Sequence, residues 1–259
     1  MALLFSDEPP AFEVVNARGP SRYMLLCDHA SVRMPRKLGT LGLSPEVAET
    51  HIGWDIGAAD VARAVAALLD APLVLSGYSR LAIDCNRPPG VPASVPAVTC
   101  EIVVPGNADL SDADRAEREA ELFFPYQRAI ERVLADRESR GVASVVLSIH
   151  SFTPHLYGRD RPWHFGVMYG RDRRLAACFL EAFTAEPGFV VGDNEPYHVT
   201  DASDFGVPTY AEKPGRPGLL LEIRQDQIAT ADGAAAIGAV VARVGRTALD
   251  RLSSAEVSK

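Results

Sequence analysis

Cysteine is scarce in this 259-residue chain. The four thiols, Cys27, Cys85, Cys100 and Cys178, form no Cys-x-x-Cys pair, which excludes a zinc knuckle and a thioredoxin-like redox motif. Cys27 and Cys85 fall in or beside apolar runs and are expected as buried thiols of a reducing compartment. Long apolar runs are missing as well: none nears the roughly 20 residues of a membrane-spanning helix. The opening stretch MALLFSDEPP turns acidic after a short apolar start. It lacks the basic head and long apolar segment of a signal peptide. A cytoplasmic protein with no membrane partner is expected. Positive charge is in deficit, with 26 Lys and Arg against 34 Asp and Glu and a net charge of −8. That balance argues against a nucleic-acid surface, yet a locally basic pocket could still take a small anionic substrate. No internal repeat and no low-complexity segment occurs.

What is present suits one domain with its own core. Hydrophobic residues make up 47% of the chain and charged residues 23%. Residues 1–20 read as an extended arm with Pro9, Pro10 and Pro20. Strands are expected at 22–27, in APLVLSG, in RLAIDCNRPP, at 144–149, near 165–169, near 189–192 and at 219–223. Helices are expected after Ser44-Pro45, over 55–70 with Ile56, Val61, Val65, Leu68 and Leu69 on one face, from Ser111 to about Arg140 with a kink at Pro125, over 172–185 and over 231–253. The Pro- and Gly-rich stretch 88–109 reads as a long functional loop. Several strands are apolar throughout, as when both faces of a sheet are covered. The fold class is therefore α/β, with a mainly parallel or mixed central sheet and helices on both faces.

Three apolar runs end on groups that can do chemistry. YMLLCDHAS ends at Asp28 and His29, SVVLSIHSFTP at His150, and GLLLEIRQD at Glu222 and Arg224. In open α/β sheets, ligands bind beyond the carboxyl ends of the strands. Two neutral imidazoles at neighbouring strand ends suit zinc, which in catalytic sites takes three protein ligands. The third ligand is open among Asp28, His51 and Asp55, with Asp55 favoured because it opens the helix after the first strand. Asp28 has a second reading, as an outer group orienting an imidazole. Glu222 suits a general base that takes a proton from water and passes it on. Plain structural readings stand beside these: a hydrogen-bonded packing role for each His, a helix cap for Asp55, and an ion pair with Arg224 for Glu222. A second cluster, GYSRLAIDCNRPPG, crowds Arg80, Asp84, Asn86 and Arg87 together; guanidinium forks match carboxylates, and an internal Asp84–arginine ion pair is the alternative. His155, His164 and His198 have no partner motif and are read as non-ligands.

With these residues in view, the chain resembles the N-formylglutamate amidohydrolase family. CDHAS, GWDIGAADVA, YSRLAIDCNRP, VPGN, SIHSFTP and LLLEIRQDQI follow in the family's order from about residue 22 to 229. The resemblance implies a zinc-dependent amide hydrolase, with a fold similar to zinc carboxypeptidases and zinc N-acetylmuramoyl-alanine amidases. It makes His29, Asp55 and His150 the metal ligands and Glu222 the base. Arg80, Asn86 and Arg87 would hold the carboxylate of a small anionic N-acyl amino acid, and Arg224 is expected to join them. Two departures stand out, Tyr210 in place of an expected histidine and the apolar CEIVVPGN, and both are expected to reshape the pocket. Competing expectations are an amidase for another substrate, a cysteine hydrolase using Cys27 or Cys100, and a non-catalytic small-molecule binder.

Overall fold

The computed structural model describes residues 2–257. Its centre is a sheet built from β1 (Phe12–Val15), β2 (Tyr23–Cys27), β3 (Leu73–Ser76), β4 (Val145–Phe152), β5 (Phe165–Met168), β6 (Val191–Asp193) and β7 (Gly218–Arg224). The strand order is β1-β3-β2-β4-β7-β5-β6. The inner four strands run parallel, β1 is antiparallel to β3, and β5 is antiparallel to β7. The sheet is thus mixed, with reversed strands only towards its edges.

Period-2 alternation decides which residues meet which layer. Along β4, Val145, Leu147 and Ile149 face one core. There they meet α1 (Ala58–Leu69), α4 (Arg174–Phe183) and α5 (Ala231–Val257). Val146 faces the other way, with Met24, Leu26, Val74 and Leu220. That second face is covered by α3 (Phe124–Ser139), through Tyr126, Ile130, Val133 and Leu134, and by a turn of helix at Pro208–Glu212. The cover extends over only part of this face. Where it ends, the alternation continues with Ser148 and His150 on β4 and Glu222 on β7, and the buried groups there are polar.

Several expectations change. β4 does not stop at His150 but continues to Phe152, because the parallel partner β7 extends alongside it to Arg224. The N-terminal arm contains a true strand, β1, which caps the β3 edge. RLAIDCNRPP forms no strand; it is a series of turns whose apolar residues Ala82 and Ile83 pack under the N-terminal arm instead. Leu68 of α1 is 46% exposed and leaves the buried stripe to Val61 and Val65. Ser44 precedes a helix of one turn, Pro45–Ala48, without a side-chain cap bond. The helix from Ser111 starts with a reciprocal Ser111–Asp114 capping box as α2 (Asp112–Arg118). It widens into a π-turn at Glu119–Phe123 just before Pro125, which accommodates the proline where a kink was expected.

The long 88–109 stretch is fastened by one buried amide. Asn107 Nδ2 donates to Leu81 O (2.9 Å) and Pro96 O (3.0 Å), and its Oδ1 accepts from the buried Arg118 (2.7 Å). Asn107→Ala orphans the Leu81 and Pro96 carbonyls and leaves Arg118 Nη1 only its bond to Ala82 O. It is expected to cost about 2–4 kcal/mol, read from the urea midpoint at unchanged slope; a loss under about 1 kcal/mol would show that the loop is held elsewhere.

Candidate active site

His29 lies two residues beyond β2, His150 lies in β4, and Glu222 is the register partner of His150 on β7. Neighbouring parallel strands therefore place the two side chains abreast on the incompletely covered face. Asp55 arrives from the turn before α1, where its backbone N–H donates to His29 O at 3.0 Å. Gly57 allows this turn: its φ is +76°, and a Cβ there would stand 2.1 Å from Ile228 O. Only glycine fits such a left-handed position against a carbonyl.

The two imidazoles converge on one carboxylate oxygen. Asp55 Oδ2 lies 2.9 Å from His150 Nδ1 and 3.3 Å from His29 Nδ1. One ligand atom from each of His29, Asp55 and His150 lies within 4.8 Å of the others, and all three residues are buried. Each ring's far nitrogen has a carboxylate of its own: His29 Nε2 meets Asp84 Oδ1 at 2.7 Å, and His150 Nε2 meets Asp28 Oδ2 at 3.1 Å. Tyr126 and Ser148 in turn donate to Asp28, at 3.0 and 2.8 Å. An imidazole braced at one nitrogen by a carboxylate, with the other nitrogen turned to a shared point, is the arrangement that orients metal-binding histidines. Of the three contenders for third ligand, Asp55 sits between the rings. Asp28 is an outer group, but for His150 rather than its neighbour His29. His51 borders the cavity with Nε2 buried and unpartnered.

Electrostatics follow from this crowding. Burial alone would push the His29 imidazole down, and Arg80 adds to that, but Asp84 and Asp55 reverse the shift and hold it up. Burial likewise opposes the His150 proton, and hydrogen bonds with Asp28 and Asp55 overcome it, so the group lies well above the usual imidazole range. The Asp55 carboxyl is held low against its burial by both imidazoles. Glu222 moves the other way. Burial pushes it up to about 7, with His150 pulling it down and Asp55 up, and its buried Oε2 has no hydrogen-bond partner. Donors of two nitrogens and one carboxylate oxygen, with a spare carboxylate beside them, fit a catalytic zinc site.

These groups border a cavity of about 440 Å³, a size suited to a small molecule. Arg80, Asn86 and Arg87 border it too, yet each is engaged by the protein. Arg80 donates to Asp84 (2.7 Å) and Asp55 (3.3 Å). Asn86 donates to Asp204 and accepts from the Phe205 and Gly206 amides. Arg87 donates to Ser203 O and lies 3.7 Å from Asp204. Arg224 is not among the cavity residues; it pairs with Asp226 and donates to the carbonyls of Arg161 and Pro162. Its side chain therefore turns away from Glu222. Tyr210 is buried against Gln127, outside the cavity lining, and does not reshape it. From CEIVVPGN, Cys100 does reach the cavity. Cys27 belongs to the core on the opposite face, and burial pushes its thiol well up, which removes it as a nucleophile. Arg161 and Tyr197, absent from the sequence expectations, border the cavity as well. Neither falls in a periodic segment that would have pointed to it.

The chain is similar to known proteins in sequence and in fold. The model of the family described as N-formylglutamate amidohydrolase matches residues 21–229. A solved gene product of Agrobacterium tumefaciens is 35% identical, with a TM-score of 0.94 over 97% of this chain and 99% of that one. A solved N-formylglutamate amidohydrolase from Ralstonia eutropha JMP134 is 17% identical, with a TM-score of 0.64 over 97% of this chain and 100% of that one, and shares the fold. No curated protein matches.

Because both imidazoles hold protons above the usual range in the ion-free protein, a cation must displace them. Zinc affinity is expected to rise with pH from about 5 to 8, with proton release at neutral pH. Calorimetry in two buffers of different ionisation enthalpy reads both; uptake without proton release would contradict the assignment.

Proposed function

This chain belongs to the N-formylglutamate amidohydrolase family, and from that premise we propose that it is a zinc-dependent hydrolase of a small anionic N-acyl amino acid. N-formylglutamate is the first candidate, cleaved to formate and glutamate. The observation that carries the reading is the pairing of a metal-capable His29–Asp55–His150 cluster with the unpartnered buried carboxylate of Glu222 in one cavity. We extend the reading to a zinc-exopeptidase-like arrangement of these strand-end groups, as membership of the family implies.

His29, His150 and Asp55 would hold the ion, which when bound supplies Lewis acidity to water and to the amide carbonyl. Asp84 and Asp28 keep the two rings in the tautomer that leaves Nδ1 free to bind. Glu222 accepts a proton from the attacking water as its oxygen bonds to the formyl carbon. It then delivers that proton to the nitrogen as the C–N bond breaks. A carboxyl raised towards neutrality suits both halves of this task, because its proton affinity lies near the working pH. Arg80 and Arg87 add positive field around an anionic substrate even while engaged by their aspartates.

Glu222→Gln is nearly isosteric and leaves the ligands in place. It is expected to retain zinc and to lose about 10²–10⁴ in kcat on N-formylglutamate, measured by formate release. Retention of near wild-type turnover would remove Glu222 from the role of base, and full zinc loss would mean that it is a ligand instead.

A further inference from the structure

We propose that Arg161 is the residue that binds a carboxylate of the substrate; the inference rests on the hydrolase reading above. Three guanidinium groups border the cavity, and they differ in what they already hold. Arg80 is bonded to two aspartates, and Arg87 to a carbonyl with aspartates close by. Among the described residues, Arg161 has no carboxylate within ion-pair distance. Its one side-chain hydrogen bond runs from Nη1 to the Tyr197 hydroxyl at 2.7 Å. A guanidinium carries five N–H donors in a planar fork, so most of its capacity is unspent.

The group is nevertheless fixed. Its Cζ stands 4.9 Å from the centre of the Tyr197 ring and 5.8 Å from that of Phe152. Aromatic faces hold a cation in place without neutralising it, leaving the charge available for an incoming anion. The backbone is fastened on both sides: Arg161 N–H donates to Pro154 O at 2.8 Å, and Arg161 O accepts from Arg224. Arg224 is itself clamped by Asp226. The pair after Glu222 in LLLEIRQD thus braces the segment that carries Arg161, a positioning role in place of the substrate contact expected for it. Tyr197 is brought in by another close approach. A Cβ at Gly166, the β5 partner of Glu222, would stand 2.1 Å from Glu195 O, so the chain leading to Tyr197 can lie against the sheet only over glycine. Arg224 on β7 and Gly166 on β5, on either side of Glu222, thus place the anchor. The charge of Arg161 reaches into the cavity: after burial, it is the next influence keeping the bordering His51 imidazole low.

The test uses the zinc-loaded full chain and its Arg161→Ala and Arg161→Lys variants, with melting temperature and zinc content as controls. Three substrates are compared: N-formylglutamate, N-formylglutamine and N-formylglutamate α-amide. For N-formylglutamate, Arg161→Ala is expected to raise KM by about tenfold or more, as for loss of a charged hydrogen bond, with kcat changed far less. Arg161→Lys should recover part of that loss. On whichever amide lacks the carboxylate that Arg161 holds, wild type and Arg161→Ala should share one kcat/KM. An equal loss on all three substrates, or none on N-formylglutamate, overturns the proposal. If the wild type turns over none of the three, the hydrolase reading fails separately. Calorimetric titration with glutarate then decides for Arg161: binding weakened about tenfold in Arg161→Ala upholds the anchor, and equal or absent binding in wild type and variant overturns it.

Discussion

Four carboxyl groups, Asp28, Asp55, Asp84 and Glu222, are buried near two imidazoles, with the guanidinium groups of Arg80 and Arg87 on Asp84. Burying so much negative charge is costly unless each group is paired. Arg80 satisfies only part of it, by bonding Asp84 and Asp55. The rest is balanced in the ion-free protein by protons on His29 and His150, which is why both rings sit above their ordinary range. A divalent cation at the point where Asp55 meets the two Nδ1 atoms would replace those protons and leave the outer carboxylates as braces. The cluster is thus balanced by protons that a cation could replace, and its donor set is that of a candidate metal site.

The fold pays for this arrangement by keeping one face of the sheet only partly covered. Helix α3 and the Pro208–Glu212 turn cover Met24, Leu26, Val146 and Leu220, and the strands then run on past the cover. On β4 the sequence changes from valine to serine to histidine along one face, while the other face stays apolar through Ile149. Parallel register puts Glu222 beside His150. Chemistry at this end and core at the other are therefore consequences of the same alternation. The antiparallel turn-back of β5 adds Gly166 next to Glu222, opening space for the segment that carries Tyr197.

How much of this could be read from residues alone depended on whether the signal was local. His29, His150 and Glu222 announce themselves because each interrupts an apolar run, and Asp55 because it precedes a strong helical pattern. The outer partners did not: that Asp28 braces His150 rather than its neighbour His29 depends on strand order, which no single segment encodes. RLAIDCNRPP reads as a strand because a buried turn and a buried strand both need apolar residues; only the packing of Ala82 and Ile83 distinguishes them. Arg224 reads as a substrate group because it lies two residues from Glu222, a spacing that keeps both on one strand face. Its long side chain nonetheless reaches sideways to Asp226 and two carbonyls. Arg161 and Tyr197 carry no pattern, since loop residues are placed by what fastens the loop.

The whole arrangement turns on one cation that the Nδ1 atoms of His29 and His150 would hold together with Asp55. Anomalous diffraction at the zinc absorption edge, on crystals of protein given zinc and then freed of excess, tests it most directly. One strong peak is expected between those three atoms, with Asp28 and Asp84 still on the far nitrogens. A peak on the Nε2 side, or an ordered cluster with no peak there, would contradict it.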